Sequence, residues 1–169
     1  MELTVEREKP IGLSTKELKI TRICFICTGN TCRSPMAEAV ANALAKEKGH
    51  TDLRAFSAGL YANANDPIAP NAVAALEAAG VEAVYGRDYH RHLAHTLTEA
   101  EAKEYDLLIG MTAGHAMELM MRFPASAEKI SCMPRQISDP YGGDEKRYRD
   151  CLAEISECVR AMLFAEDAE

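Results

Sequence analysis

The chain has 169 residues, of which 47% are hydrophobic and 27% are charged, and its formal net charge at pH 7 is −7. This length and balance predict one globular domain with a single substantial core. The acidic balance, without a lysine- or arginine-rich block, disfavours a nucleic-acid partner. No apolar stretch approaches the roughly 20 residues that a membrane-spanning helix requires, so we expect no membrane partner.

Residues 1–19 are polar, contain Pro10 and Gly12, and predict a loose N-terminal extension with a short helical turn at residues 15–19. They lack the apolar segment of a secretory signal. Six cysteines in a chain of this size do not resemble a dense disulfide scaffold, and reduced thiols are the better interpretation. We therefore expect a cytoplasmic protein.

Strand and helix patterns alternate from residue 20 onwards. Apolar, β-rich segments predict strands at residues 20–27, 53–60, 105–111 and 128–133. Helical patterns follow these strands at residues 34–49, 67–80, 98–104, 112–123 and 146–164. We expect Ser34 to be the N-cap of the first helix and Pro35 its first helical residue. Gly49 and Gly80 are the expected ends of the first and second helices.

This alternation predicts an α/β fold with right-handed crossovers. We expect a single Rossmann-like domain over residues 20–164, with a four-stranded parallel sheet and helices on both faces, followed by a short tail at residues 165–169. Within the last helix, the helical spacing of Cys151, Ile155 and Cys158 predicts a buried face. Three methionines of the fourth helix are expected to fill the core or its edge: Met117, Met120 and Met121.

The segment CTGNTCRS at residues 27–34 joins the first strand to the first helix. Ligands of open α/β sheets bind beyond the carboxyl ends of the strands, which is where Cys27 lies. The following helix N-terminus favours an anion, so the thiolate form of Cys27 should be stabilised. Gly29 and Asn30 tolerate positive φ angles, which lets backbone N–H groups converge. Arg33 offers two parallel N–H donors to a phosphate. The segment thus predicts a nucleophile beneath a bound phosphoryl group or another oxyanion.

The segment CTGNTCRSPMAEA, with its C-x5-R-S spacing, resembles the signature of the low-molecular-weight protein tyrosine phosphatase family, and most closely that of its bacterial protein arginine phosphatase branch. The resemblance continues in order through residues 56–60, 92–112 and 138–143, and it spans about residues 20–164. It implies that Cys27 forms a phosphocysteine, that Arg33 binds the phosphate oxygens, and that Asp139 protonates the leaving group and then activates water. No metal and no cofactor is implied.

The resemblance also implies a phosphate-binding loop of seven residues: Thr28, Gly29, Asn30, Thr31, Cys32, Arg33 and Ser34. We expect Ser34 to hydrogen-bond the thiolate and Asn30 to hold the loop conformation. Cys32 is expected to trap oxidised Cys27 as a disulfide, as members of this family are described to do. The alternative is a passive small residue in the loop.

Two positions bear on the leaving group. Tyrosine-specific members commonly have a bulkier aliphatic residue where this chain has Thr31, whereas arginine-specific members have threonine, so Thr31 favours a guanidinium leaving group. Tyr141 is followed by two glycines, as in the arginine-type loop, but it stands where that loop has phenylalanine and could also line a pocket for tyrosine. The expected substrates are therefore proteins carrying phosphoarginine, with phosphotyrosine as the alternative.

Two further functions remain as alternatives. A thiol-dependent arsenate reductase needs additional cysteines that relay a disulfide, but Cys132, Cys151 and Cys158 lie on a predicted strand and helix and not in a loop near Asp139. A phosphoprotein-binding module without turnover would have lost the nucleophile or the acid. Because both are present, hydrolysis is favoured over each alternative.

Metal binding is the remaining alternative. Cys24 and Cys27 form a C-x2-C pair, but Cys24 lies inside an apolar strand and no second ligand pair follows at a suitable spacing. His90, His92 and His95 cluster within six residues, and a solvated loop explains them better than a metal. His92 coincides with a histidine of the family pattern, for which a packing or hydrogen-bonding role is expected.

Overall fold

The computed structural model describes residues 20–165, so the predicted extension at residues 1–19, its helical turn and most of the tail lie outside the described residues. Four parallel strands form a sheet: β1 Thr21–Cys27, β2 Leu53–Gly59, β3 Leu107–Gly110 and β4 Ile130–Cys132. Their order across the sheet is β2-β1-β3-β4. The predicted four-stranded parallel sheet is confirmed.

Helices cover both faces of the sheet. They are α1 Arg33–Glu47, α2 Pro70–Ala78, α3 Glu99–Glu104, α4 Ala113–Arg122 and α5 Glu145–Leu163, with short 3-10 helices at Tyr89–Arg91 and Pro124–Lys129. Successive β1 side chains alternate between the two layers: Phe25 packs on the side of α1, α2 and α5, whereas Ile26 packs on the side of α3 and α4. Both faces of the central strand are therefore buried, as its continuous apolar sequence predicts.

Most predicted helix ends agree with the structure. Gly49 and Gly80 follow α1 and α2 with φ angles of 79° and 72°, a conformation in which glycine ends helices readily. The second helix begins at Pro70 instead of residue 67, because Pro67 forms an isolated antiparallel bridge with Leu93. The buried face predicted for the last helix is confirmed, since Cys151 and its helical neighbours are buried.

The predicted N-cap at Ser34 is wrong. Helix α1 begins at Arg33 with Cys32 in the N-cap position, and no side chain caps it. The Ser34 hydroxyl instead points inward, where it lies 3.0 Å from the sulfur of Cys27 and accepts a hydrogen bond from the Asn30 side chain at 2.9 Å. Pro35 is accordingly the third helical residue and not the first.

The α4 methionines do not fill the core, which was the first of the two roles predicted for them. Met117, Met120 and Met121 are 65%, 40% and 79% exposed, whereas His115, Ala116 and Leu119 form the buried face of this helix. Within residues 20–165, no helix is both long and apolar enough to cross a membrane.

Candidate active site

Cys27 is the last residue of β1, and it is only 2% exposed. Its sulfur accepts the backbone N–H of Asn30 at 3.3 Å and lies 3.0 Å from the hydroxyl oxygen of Ser34. The Ser34 oxygen accepts a hydrogen bond from the Asn30 amide, and the single Ser34 proton can be donated to the sulfur or to the Ala58 carbonyl, which lies 3.4 Å away. The Asn30 N–H and the Ser34 hydroxyl therefore hold the Cys27 sulfur in place at the start of the loop.

Asn30 holds the loop in a left-handed turn, with φ at 60° and no exposed surface. Its side-chain nitrogen donates to both Ser34 and Ser57, at 2.9 and 3.1 Å. Its side-chain oxygen accepts the backbone N–H of His95 at 3.1 Å, and its backbone carbonyl lies 2.8 Å from Nε2 of His92. Each of its polar groups therefore has a partner, which restricts the loop to one conformation.

A buried polar chain continues from Asn30 to the other side of the loop. Ser57 donates to one carboxylate oxygen of Glu38 at 2.8 Å, and Nε of Arg87 donates to the other at 2.6 Å. Glu38 is 8% exposed, and the Arg87 cation offsets the cost of burying its charge. The loop that contains Cys27 is thus linked to α1 by hydrogen bonds through Ser57, and to Arg87 by the ion pair between Arg87 and Glu38.

Arg33 lies at the first position of α1 and is 6% exposed. Its NH1 donates to the carbonyl of Ile137 at 3.0 Å, and its NH2 lies 3.5 Å from a carboxylate oxygen of Asp139. Its Nε is buried and has no hydrogen-bond partner within residues 20–165. A buried, unpaired donor on a cation is unfavourable unless an anion binds it, so Arg33 is suited to an oxyanion.

Asp139 lies on the loop before α5, and its side chain is 52% exposed. One carboxylate oxygen accepts the backbone N–H of Tyr141 at 3.1 Å, and the other lies near Arg33. The backbone carbonyl of Asp139 accepts from Arg147 at 3.2 Å. These contacts orient the carboxylate while leaving it accessible to water.

A cavity of about 260 Å³ brings the predicted residues together. It is lined by the predicted residues Cys27, Thr28, Gly29, Thr31, Cys32, Arg33, Asp139 and Tyr141, and also by Tyr61, Asn63 and Asp66. Asn30 and Ser34 are buried beneath it. The sequence interpretation missed the last three residues, which follow β2. Since the carboxyl ends of parallel strands share one edge of a sheet, the position of that loop after β2 was the available signal.

His115 is a second omission of the sequence interpretation. Its Nε2 lies 3.0 Å from the hydroxyl of Thr28, and its Nδ1 lies 3.0 Å from the hydroxyl of Thr112, which caps α4. Burial, followed by the nearby Arg33 cation, lowers the pKa of His115 to about 4. The imidazole is therefore neutral at pH 7, and it connects the phosphate-binding loop to α4 without adding charge.

Cys32 borders the same cavity, and its sulfur lies 3.2 Å from the hydroxyl of Tyr148. Burial raises the pKa of Cys32, so its thiol form is favoured. All six cysteines are free thiols. The pairing of Cys27 with Cys32 remains a prediction.

The clustered histidines have separate partners. His90 contacts Glu77 and Asp88, His95 contacts Glu101, and His92 contacts the backbone carbonyl in the phosphate-binding loop described above. Among residues 20–165, no group of three histidine, cysteine or acidic side chains is placed to hold a metal ion.

The model of the family "Low molecular weight phosphotyrosine protein phosphatase" matches residues 22–169. The chain belongs to this family. It is a cysteine-dependent protein phosphatase that acts on phosphoproteins.

Its relatives include enzymes named for two different substrates. The protein-arginine-phosphatase of Bacillus subtilis (strain 168) is 31% identical over 147 residues, which cover 83% of this chain and 93% of that protein. A low molecular weight protein-tyrosine-phosphatase of Streptomyces coelicolor is also 31% identical, over 85% of this chain and 92% of that protein.

The similar solved structures also include both arginine phosphatases and tyrosine phosphatases. The arginine phosphatase YwlE, in a mutant form with a phosphorylated active-site serine, superposes with a TM-score of 0.78 at 29% identity, covering 88% of this chain and 97% of that chain. A low molecular weight protein tyrosine phosphatase from T. tengcongensis superposes with a TM-score of 0.76 at 35% identity, covering 85% and 97%.

The pH dependence of folding tests the environment of His115. Its folded pKa of about 4 lies below the ordinary 6.5, so the unfolded chain takes up the proton first as the pH falls. The contribution of His115 to the free energy of unfolding is therefore complete above pH 6.5 and is lost as the pH falls towards 4. We expect the free energy of unfolding, measured by urea denaturation, to fall less steeply over this window in His115→Gln than in the unsubstituted protein.

His90→Gln is the control with the opposite sign. Hydrogen bonds to Glu77 and Asp88 raise the pKa of His90, so its stabilisation is present at low pH and is lost as the pH rises. Its removal should therefore leave the slope between pH 4 and pH 6.5 unchanged and should reduce the loss of stability that occurs above pH 6.5. Equal slopes for the unsubstituted protein and His115→Gln would contradict the neutral, buried assignment of His115.

Proposed function

We propose that this phosphatase hydrolyses phosphoarginine in proteins through a phosphocysteine intermediate on Cys27. The observation that carries the mechanism is the buried Nε of Arg33, which has no hydrogen-bond partner among residues 20–165. Arg33 lines the same cavity as Cys27, whose sulfur contacts the Asn30 N–H and the Ser34 hydroxyl. Such a pair of groups suits a phosphoryl group whose oxygens contact Arg33 while its phosphorus faces the sulfur.

In the first step the Cys27 thiolate attacks phosphorus, and the bond from phosphorus to the leaving nitrogen breaks. Arg33 and the N–H groups of the loop stabilise the charge on the phosphate oxygens. Asp139 supplies the proton that the leaving nitrogen needs, because its carboxyl group borders the same cavity and is accessible. Ser34 stabilises the thiolate before attack.

In the second step Asp139, now ionised, removes a proton from water, and that water attacks the phosphorus of the phosphocysteine. The sulfur–phosphorus bond breaks, and phosphate and the Cys27 thiolate are released. The half-exposed position of Asp139 supports this role, since water must reach the carboxylate between the two steps.

Thr31 supports phosphoarginine as the substrate. It lines the cavity, and its backbone carbonyl accepts the N–H of Ala69 at 2.9 Å, which holds it in the wall. A hydroxyl offers a guanidinium N–H an acceptor that an aliphatic side chain lacks. The two relatives named protein-arginine-phosphatase, each 31% identical, agree with this choice.

Phosphotyrosine is the second candidate. Tyr61 and Tyr141 border the cavity and are 64% and 76% exposed, so their rings can stack on a phenyl ring. The Streptomyces coelicolor relative named as a tyrosine phosphatase is as similar in sequence as the arginine phosphatases.

The six free cysteines suit a reducing compartment, which supports a cytoplasmic enzyme. The position of Cys32 on the wall of the cavity supports its pairing with Cys27 under oxidation. A peroxide would oxidise the Cys27 thiolate to a sulfenic acid, and the Cys32 thiol would then displace water from it to form a disulfide.

Replacement of the acid tests the role of Asp139. We expect Asp139→Asn to lower kcat/KM by roughly 10²-fold or more for a phosphate ester with a poor leaving group, because that group departs only with a proton. For an activated aryl phosphate the loss should stay below about tenfold, since its leaving group departs as the anion. Equal losses for both esters would contradict general-acid catalysis by Asp139.

Replacement in the wall tests the substrate assignment. We expect the unsubstituted enzyme to prefer a phosphoarginine peptide to a matched phosphotyrosine peptide in kcat/KM. Thr31→Ile should shift this ratio about tenfold or more towards phosphotyrosine, because it removes the hydroxyl and adds apolar volume. Thr31→Ser keeps the hydroxyl and serves as the control. A preference of the unsubstituted enzyme for phosphotyrosine would overturn the phosphoarginine assignment.

A further inference from the structure

The loop after β2 supplies a wall of the cavity that the mechanism does not use. Tyr61, Asn63 and Asp66 from this loop line the cavity. The backbone here is held by a pair of hydrogen bonds, from Asn65 N–H to the Ala94 carbonyl and from Ala94 N–H to the Asp66 carbonyl, each of 2.8 Å. The loop is therefore positioned by the body of the domain, and Asp66 has a defined place in the wall.

Asp66 brings a second carboxylate to the cavity, and its environment differs from that of Asp139. The Asp139 carboxylate accepts a backbone N–H from Tyr141 and faces the Arg33 cation. The Asp66 side chain is exposed and makes no hydrogen bond or ion pair with the part of the chain that the structure describes. Its negative charge is therefore available to a bound substrate.

The aromatic residues at the cavity do not distinguish the two candidate leaving groups. Arg122 lies over the Tyr61 ring at 4.3 Å, and the Tyr61 hydroxyl donates to Glu118, so this ring has a set orientation. An aromatic ring can stack on a phenyl ring and also on a guanidinium plane. Discrimination by Tyr61 and Tyr141 is consequently weak.

Charge does distinguish the two leaving groups. When the phosphorus–nitrogen bond of phosphoarginine breaks and the nitrogen receives a proton, the leaving group is a guanidinium cation with several N–H donors. The leaving group of phosphotyrosine is a phenol, which has no positive charge. A free carboxylate forms charge-assisted hydrogen bonds with the guanidinium cation, but it cannot form such hydrogen bonds with the uncharged phenol.

We propose that Asp66 binds the guanidino group of phosphoarginine during its transfer and so makes the enzyme select phosphoarginine over phosphotyrosine. This inference rests on the function proposed above. Asp66 would contact the substrate, whereas the phosphoryl group would stay with Cys27 and Arg33. The cavity then has a cationic base for the phosphate and an acidic wall for the leaving group.

The test compares kcat/KM for two peptides that have identical, uncharged flanking residues and carry either phosphoarginine or phosphotyrosine. We expect Asp66→Asn to lower the value for the phosphoarginine peptide by about tenfold, the effect of one hydrogen bond to a charged group. The value for the phosphotyrosine peptide should stay unchanged or rise. Asp52→Asn is the matched control, since Asp52 is exposed and precedes β2, at the edge of the sheet away from the site; it should change neither value.

Salt provides a second readout. Because exposed charges are screened by salt, the phosphoarginine preference of the unsubstituted enzyme should fall with ionic strength, and that of Asp66→Asn should fall less. Equal effects of Asp66→Asn on both peptides, or none beyond that of Asp52→Asn, would overturn the role of Asp66 and leave the proposed function standing. An unsubstituted enzyme that does not hydrolyse the phosphoarginine peptide would overturn both.

Discussion

The site depends on the hydrogen bonds of one buried amide, that of Asn30. Its left-handed backbone turns the loop back on β1, so that its own N–H reaches the Cys27 sulfur, and its side chain holds Ser34 against that sulfur. Few residue types adopt this conformation readily, and asparagine is one that also provides two donors and an acceptor. The chain then continues to Ser57 and to the charge of Glu38, which the Arg87 cation neutralises. Because each polar group of Asn30 has a partner, this network holds the turn of the loop in one shape.

The electrostatics of the cavity follow from that arrangement. Positive charge is concentrated at the base, where Arg33 and the first turn of α1 meet the Cys27 sulfur. Negative charge lies on other parts of the wall, at Asp139 and Asp66. A substrate with an anionic phosphoryl group and a cationic leaving group would fit this separation of charge. His115 hydrogen-bonds the loop through Thr28 and stays neutral, so it adds no second positive charge near Arg33.

Sequence reasoning predicts the sheet and the central residues of the cavity because these depend on local patterns. A continuous apolar strand followed by a glycine-containing turn and a helix can be recognised in a short stretch of sequence, and Cys27 and Arg33 lie within this stretch. The contact of Ser34 with the Cys27 sulfur was implied by the family resemblance and not by the local pattern, since a serine before a proline at a helix start has the composition of an ordinary N-cap. Only the buried partner, Asn30, shows where the hydroxyl is used.

The wall residues were missed for a different reason. Tyr61 and Asp66 reach the cavity through the pairing of β2 beside β1 and the contact of their loop with Ala94, which are long-range features. The sequence could not decide whether the α4 methionines fill the core or pack at its edge, because the buried face of this short helix is set by its packing against β3 and β4.

In the proposed mechanism, Cys27 carries the phosphoryl group between the two steps. The most direct measurement is a rapid acid quench of the enzyme during turnover of a phosphoarginine peptide, followed by mass spectrometry of the fragment that contains Cys27. The proposed mechanism predicts one phosphoryl group on the Cys27 sulfur within the first turnover, and neither this adduct nor phosphate release in Cys27→Ser. Phosphate release by the unsubstituted enzyme without an adduct, together with turnover by Cys27→Ser, would contradict it.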